Sequence, residues 1–202
     1  IAAQLASLLK VLRSHQKDGE ACPIVHGDIK PSNLVYDEVS GQISLVDWGS
    51  SVFAQTDEQG HYLSNNVMAL MSADLQNSNA RLGDVYFIGA EQRAGALSSP
   101  RFDEQGVAGT LYALASGQGC RFGRKAIPAR SLGLPNEFAT MLDSMLADDA
   151  GLRAQAGDYF ISQMPRLKHL VLPDLALFED LPQLPVWVSP QVRELDTVAR
   201  LG

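Results

Sequence analysis

The 202-residue chain is short of positive charge. Its 16 Lys and Arg face 23 Asp and Glu, for a net charge of -7 and a pI near 5.0. A nucleic-acid-binding face is usually basic, so the composition argues against that class of partner. Long apolar runs are also missing. None approaches the roughly 20 residues that span a bilayer, and no basic-then-apolar leader opens the chain, so no membrane segment is expected. Cysteine is scarce: Cys22 and Cys120 lie far apart without metal-ligand spacing. Reduced thiols and a cytoplasmic location are the expectation. The four histidines do not cluster, and there is no internal repeat. The first residue is Ile1, inside a helical pattern, which leads us to expect a piece of a longer protein.

An apolar fraction of 46% is that of a globular domain with a sizeable core. Ile1, Leu5, Leu8, Leu9 and Leu12 share one helical face, so residues 1 to about 14 read as an amphipathic helix. Residues 15–23 are polar, contain Gly19 and Pro23, and read as a loop. Two apolar runs, 34–36 and 43–46, flank a Ser-Gly turn and read as a hairpin. Residues 50–90 lack periodicity and read as a long loop, a feature more often functional than structural. Residues 103–116 read as a buried helix, apolar nearly all round. Phe138, Met141, Leu142, Met145 and Leu146 mark another helix, with Pro135 near its first turn. A last core helix is expected over about 155–164, stopped near Pro165. From Pro173 the chain carries Pro182, Pro185 and Pro190 and reads as an extended tail, with a short final helix at 191–200.

Two short runs carry the chemistry. His26-Gly27-Asp28-Ile29-Lys30-Pro31-Ser32-Asn33 sets Asp, Lys and Asn at offsets of zero, two and five, and Leu45-Val46-Asp47-Trp48-Gly49 follows the hairpin. A carboxylate can orient a hydroxyl and an ammonium can neutralise a phosphate. An amide oxygen with a second carboxylate can hold magnesium. This is a set of groups suited to phosphoryl transfer.

The runs resemble the catalytic loop and metal-binding turn of the eukaryotic-like serine/threonine protein kinase superfamily. The resemblance covers roughly residues 1–165 and implies an α+β, protein kinase-like fold. This chain would be the mainly α-helical C-terminal lobe over 1–172, with a short β-hairpin at the catalytic loop, and 173–202 a Pro-containing tail. It implies that Asp28 is the catalytic base and that Lys30 sits on the transferred phosphoryl group. Asn33 and Asp47 would hold Mg2+, or Mn2+ in its place, and with it ATP. Trp48 stands where Phe is usual, and Gly49 is expected to permit the sharp turn. His26 is read as a buried structural residue. Gly83-Asp84-Val85-Tyr86-Phe87-Ile88-Gly89-Ala90-Glu91 is similar to the end of a kinase activation segment, usually Gly-Thr-x-x-Tyr-x-Ala-Pro-Glu. Asp84 replaces its Thr, in reach of Lys30. Residues 103–117, which include Asp103, Leu111, Tyr112, Leu114 and Gly117, resemble the buried kinase helix Asp-x-Trp-Ser-x-Gly-x-x-Leu-Tyr-x-Leu-x-x-Gly, with Gln105 in place of Trp. Asp103 is expected to cap that helix and to accept N–H bonds from the catalytic loop. Met145-Leu146-Ala147-Asp148-Asp149-Ala150-Gly151-Leu152-Arg153 resembles the late motif whose Arg pairs with the acid at Glu91. That pair is expected to be buried.

Gly27 replaces the Arg that receives an activating phosphate in most regulated kinases, so activation through Ser50, Ser51, Thr56 or Ser64 is not expected. The substrate implied is a protein hydroxyl. His-Gly-Asp and Asp-Trp-Gly also resemble aminoglycoside and choline phosphotransferases, which implies a small-molecule hydroxyl instead; a pseudokinase scaffold is the reading without turnover. The glycine-rich loop and the strand Lys of an N-terminal lobe do not occur in this sequence, so that lobe is an expected partner.

Overall fold

The computed structural model describes residues 1–63, 83–118 and 127–167. The chain divides into two units, Ile1–Lys168 and His169–Gly202. The Pro-containing tail, its expected final helix, Ser64 and Cys120 lie outside the described residues.

Five helices and six short strands make up the described chain. Helix α1 is Ala2–Arg13. Its Leu5, Leu9 and Leu12 are buried on the face that their spacing predicts, whereas Ile1 is half exposed. Residues 15–23 are not a plain loop. Strands β1 (Gln16–Lys17) and β2 (Glu20–Ala21) pair across a turn in which Asp18 and Gly19 both have positive φ. Strand β3 (Ile24–Val25) pairs antiparallel with β6 (Val52–Phe53), a contact between segments that flank the whole catalytic region. Strands β4 (Leu34–Asp37) and β5 (Gln42–Leu45) form the expected hairpin, in register Leu34↔Leu45 to Asp37↔Gln42. Gly41, at φ +66°, takes the left-handed turn position that glycine tolerates best.

Helix α2 is one turn, Ala90–Arg93. Helix α3 runs Pro100–Ser116 and starts three residues before the expected Asp103. Its cap is Ser99, whose hydroxyl accepts from Arg101 N–H, with Pro100 at the first helical position. Ser-Pro is a legible start signal, since Pro has no N–H to leave unpaired there. Helix α4 (Asn136–Met145) follows its apolar spacing. Helix α5 spans Ala150–Leu167, longer at both ends than its periodicity suggests. Asp149 starts it by accepting from Leu152 N–H at 2.6 Å. Pro165 lies in its last turn, where it cannot donate to the carbonyl four residues back, and the helix ends two residues later.

The core lies where α1, α3, α4 and α5 meet. Leu5 and Leu9 pack with Val107, Leu111 and Tyr112, then with Met141, Leu142, Met145, Phe160 and Ile161. Tyr112 is fully buried, and its hydroxyl both donates to Ile127 O at 3.0 Å and accepts from Ile127 N–H at 3.1 Å. A four-charge network joins three of these helices. Arg13 of α1 pairs with the buried Glu104 of α3 and, at 2.8 Å, with Asp158 of α5. Arg101 reaches Glu104 at 2.9 Å and Asp158 through both guanidinium nitrogens, at 3.0 and 3.1 Å. Its Nε also donates to Glu58 O at 3.1 Å, which anchors the loop after β6. Two cations face two carboxylates, so the buried charge of Glu104 is opposed by two guanidinium groups.

Gly157 makes room for that network. A Cβ there would lie 2.0 Å from Glu104 Oε2 and 2.8 Å from its carboxyl carbon. Gly→Ala inside a helix ordinarily stabilises by roughly 1 kcal/mol. Here the sign reverses, because Glu104 cannot move without leaving Arg101 and Arg13. Gly157→Ala is expected to destabilise by about 1–3 kcal/mol, the usual range for overpacking. Thermal unfolding beside the parent protein checks the sign.

Candidate active site

A stripe of α3 carries the loop that holds Asp28. Asp103, Gly106 and Thr110 fall at i, i+3 and i+7, on one helical face. Asp103 is 2% exposed. Its two carboxylate oxygens accept from His26 N–H at 2.7 Å and Gly27 N–H at 2.8 Å. Gly106 lets the Ile29 backbone sit close; a Cβ there would be 3.0 Å from Ile29 O. Thr110 donates its hydroxyl to Ile29 O at 3.3 Å. Asp103 thus binds the loop as expected, but Ser99 rather than Asp103 caps the helix.

His26 links the loop to the hairpin. It is fully buried, and its Nδ1 accepts from Asp28 N–H at 3.3 Å while Nε2 donates to Val46 O at 3.2 Å. Those partners require the neutral ring. Burial holds its pKa below the ordinary 6.5, against the pull of Val46 O, Asp28 and Asp47. Trp48 packs edge-on against it, with ring centroids 4.7 Å apart. The Trp48 N–H donates to Leu45 O at 3.1 Å, and the side chain is half exposed. Asn33 O accepts from Val46 N–H at 2.9 Å. Val46 is therefore held at both its N–H and its C=O, and Asp47 follows it in the chain.

At Asp47 the backbone is left-handed, φ +62°, a conformation rare outside glycine and one that Asp and Asn tolerate best. The residue that absorbs the sharp turn is thus Asp47, not Gly49. Gly49 serves by lacking a Cβ, which would sit 3.3 Å from Asp47 Oδ1. Its N–H donates to that oxygen at 3.4 Å. Asp47 is exposed, with its carboxylate open to solvent.

Asp28 is 7% exposed and fully engaged. Oδ1 accepts from Asp84 N–H at 2.9 Å, and Oδ2 accepts from Lys30 Nζ at 2.8 Å and Asn33 Nδ2 at 3.2 Å. The Asn33 amide also donates to Asp28 O at 2.9 Å, which commits its nitrogen and leaves Oδ1 as the group offered to a cation. The bond to Asp28 raises the Lys30 pKa above 10.5; burial opposes this, and the charges of Asp28, Asp84 and Asp47 add to it. Lys30 does not bond to Asp84, whose carboxylate accepts from Tyr86 N–H at 3.0 Å. Among the described residues no three His, Cys, Asp or Glu side chains converge on a metal position. The Asn33 and Asp47 oxygens are hard donors that suit Mg2+ with phosphate and water completing its shell.

Arg153 does meet Glu91. The same guanidinium donates to Ala147 O at 2.8 Å and Asp148 O at 2.7 Å. The Glu91 side chain is 41% exposed, so the pair is not the buried one expected. A pair this open contributes about 0–1 kcal/mol, against the 3–5 kcal/mol lost when a buried pair is broken. Gln105 donates to Glu91 at 3.3 Å and lies against Gly89, where a Cβ would overlap its Oε1 at 1.1 Å. A cavity of about 110 Å3 opens beside these residues, where the smaller Gln105 stands in place of an indole.

A carboxylate, an ammonium, an amide oxygen and a second carboxylate are thus carried at the two ends of one hairpin, on Asp28, Lys30, Asn33 and Asp47. No family model matches the chain. Its sequence is 29% identical over 103 residues to serine/threonine-protein kinase A of Synechocystis sp., over 50% of this chain and 17% of that protein. Its fold is similar to that of the Cydia pomonella granulovirus kinase PK-1, with a TM-score of 0.56 at 18% identity, over 80% of this chain and 56% of the viral one. The fold of the described residues is similar to that of a protein kinase, mainly helical with few strands. It spans about half of the viral kinase and a sixth of the cyanobacterial one.

Among the described residues no helix is long and apolar enough to cross a membrane. Sequence reasoning missed Gln92, on α2, whose buried amide donates to Gly27 O at 2.7 Å. It carries no motif signal of its own; only its position one residue after Glu91 could have drawn notice.

Complete burial pushes the Asp103 carboxyl up to about 6 from 3.8, although the two backbone N–H bonds pull it down. The sign follows from proton uptake: between those values the folded state holds the proton more firmly than the unfolded one. Stability contributed by Asp103 therefore falls as pH rises from about 4 to 6, by up to about 3 kcal/mol at 1.36 kcal/mol per unit. Asp103→Asn should be less stable throughout, since one amide oxygen cannot serve both N–H groups as the carboxylate does. Its deficit should shrink as pH rises across that window. Denaturant unfolding of both proteins at pH 4.5, 5.5 and 7 reads this; a deficit that stays constant refutes the raised pKa.

Proposed function

We propose that the chain is the C-terminal, catalytic lobe of an ATP-dependent phosphotransferase. Its reaction is that of a serine/threonine protein kinase, moving the ATP γ-phosphate to a hydroxyl. The observation that carries this reading is the sharing of Asp28 Oδ2 between Lys30 Nζ and Asn33 Nδ2, with Asp47 one residue beyond Val46, whose N–H donates to Asn33 O. Asp28 would accept or orient the hydroxyl proton. Lys30, kept charged by its acidic neighbours, would move from Asp28 to the transferred phosphoryl oxygens. Asn33 Oδ1 and the open Asp47 carboxylate would hold Mg2+, which supplies charge neutralisation of the phosphates. A protein acceptor is favoured by the likeness to serine/threonine-protein kinase A. Asp84 in the Thr position favours a second reading, a small-molecule hydroxyl of the aminoglycoside or choline type; offering both acceptor classes to the full-length protein separates them.

Asp28 and Asp47 should have separable roles. Asp28→Asn should lower turnover about 10²–10⁴-fold with little loss of nucleotide binding, because proton positioning matters in the transition state. Asp47→Asn should weaken Mg2+-dependent nucleotide binding as well. Turnover and nucleotide titration of the two variants check this, and wild-type turnover in Asp28→Asn would remove Asp28 from the assigned role.

Residues 1–202 alone should turn over ATP poorly. Val35, Tyr36, Val46 and Trp48 of the hairpin region are 38–53% exposed, apolar groups that a covering lobe would bury. Catalysis of this type is positioning and electrostatics, so a nucleotide held from one side only should react slowly. Equal rates from the 202-residue chain and the full-length protein would refute this.

A further inference from the structure

We infer that Gln92 is a positioning residue: its amide fixes the Gly27 carbonyl, and with it the backbone that aims Asp28. The consequence for rate rests on the phosphotransferase reading above; the consequence for the loop does not.

Gly27 precedes Asp28 with φ +80°, in a region where a backbone without Cβ has many alternatives. It offers no side chain to hold itself. Its two polar groups are instead held from opposite directions. Gly27 N–H is bound by Asp103 of α3 at 2.8 Å, and Gly27 O accepts from Gln92 Nε2 at 2.7 Å. Gln92 is 3% exposed, so this donor is withheld from water and the bond is not traded for a solvent one.

Gln92 does not act alone. The chain entering α2 passes against the same carbonyl at Gly83, where a Cβ would lie 2.5 Å from Gly27 O, 2.3 Å from Ile88 Cγ2 and 3.1 Å from Gln92 Nε2. One residue on, Asp84 N–H donates to Asp28 Oδ1. The segment 83–92 therefore grips the loop at a packed glycine, a backbone N–H and a buried amide. In the family pattern the residue before the catalytic acid is an Arg, whose cation can draw in a phosphorylated segment. Here the tie runs the other way, from the segment to the loop, and needs no phosphate.

The test uses Gln92→Met, similar in length but without a donor, and Gln92→Glu, whose ionised form cannot donate, both in the full-length protein. A misplaced catalytic group can reduce rate up to about 10²-fold. Gln92→Met is expected to lower kcat by about tenfold to a hundredfold, with the KM for Mg2+-ATP within about twofold. The activity of Gln92→Glu relative to wild type should rise as pH falls and its carboxyl regains a proton to donate. Amide hydrogen exchange over 25–34 and 83–92 should quicken in Gln92→Met while α3 and α4 keep their protection. Unchanged kcat and exchange overturn the proposal, as does exchange that rises equally throughout the core. If the wild-type protein shows no turnover, the phosphotransferase reading fails and exchange alone decides on the latch.

Discussion

The carboxylate of Asp103 is the point on which the site depends. It is almost wholly removed from water, and both its oxygens face backbone N–H groups of the catalytic loop. Those N–H groups belong to His26 and Gly27, which make no ladder bonds with them. A buried N–H without a partner costs about 1–3 kcal/mol, so one carboxylate removes two such penalties. Burying it has a cost of its own, visible in a carboxyl pushed up to about 6. The structure accepts that cost for geometry: α3 is the central core helix, and a loop bonded to its first turns inherits its rigidity.

From this anchor the site grows by relay rather than by direct support. Asp103 fixes His26, His26 fixes Val46, and Val46 with Asn33 fixes Asp47. Each step has a backbone group at one end at least, so the position of Asp47 depends little on its own side-chain packing. The relay leaves the Asp47 side chain exposed. The four-charge network of Arg13, Arg101, Glu104 and Asp158 lies beside Asp103 on the same helix and holds α1 and α5 to it. It stabilises the platform, not the chemistry.

Helices α1, α3, α4 and α5, the hairpin and the proximity of Asp28, Lys30 and Asn33 were legible because each carries a local signal: apolar spacing, a Ser-Gly turn, or a fixed offset between polar residues. Ser99-Pro100 was equally legible as a helix start, yet Asp103 drew attention because it matched a pattern. The early start of α5 was missed because Ala150, Gly151 and Leu152 show no periodicity, and Asp149 decides the start by hydrogen bonding. The β3–β6 pair joins residues 24–25 to 52–53, and two-residue strands leave no period to read. The Glu91–Arg153 contact was foreseen but its exposure was not, since burial is set by what packs around a pair rather than by the pair. Gln92 was invisible for the related reason that a single amide acquires its role only from the carbonyl it meets.

The departures from the kinase pattern come with partners. Gln105 in place of Trp lies where Gly89 has lost the Cβ that would overlap it, and Gly89 is itself a departure. Trp48 in place of Phe brings an N–H that would be stranded in an apolar pocket; it stays half exposed, donates to Leu45 O and sets its ring edge against His26. Gly27 in place of Arg removes a side chain, and the buried amide of Gln92 meets its carbonyl. In each case the change at one position is sterically or electrostatically matched at another. Unmatched, they would leave an overlap, an orphaned donor and an orphaned acceptor. Matched, the Cβ that Gly89 lacks leaves room for Gln105, and both the Trp48 N–H and Gly27 O have a partner.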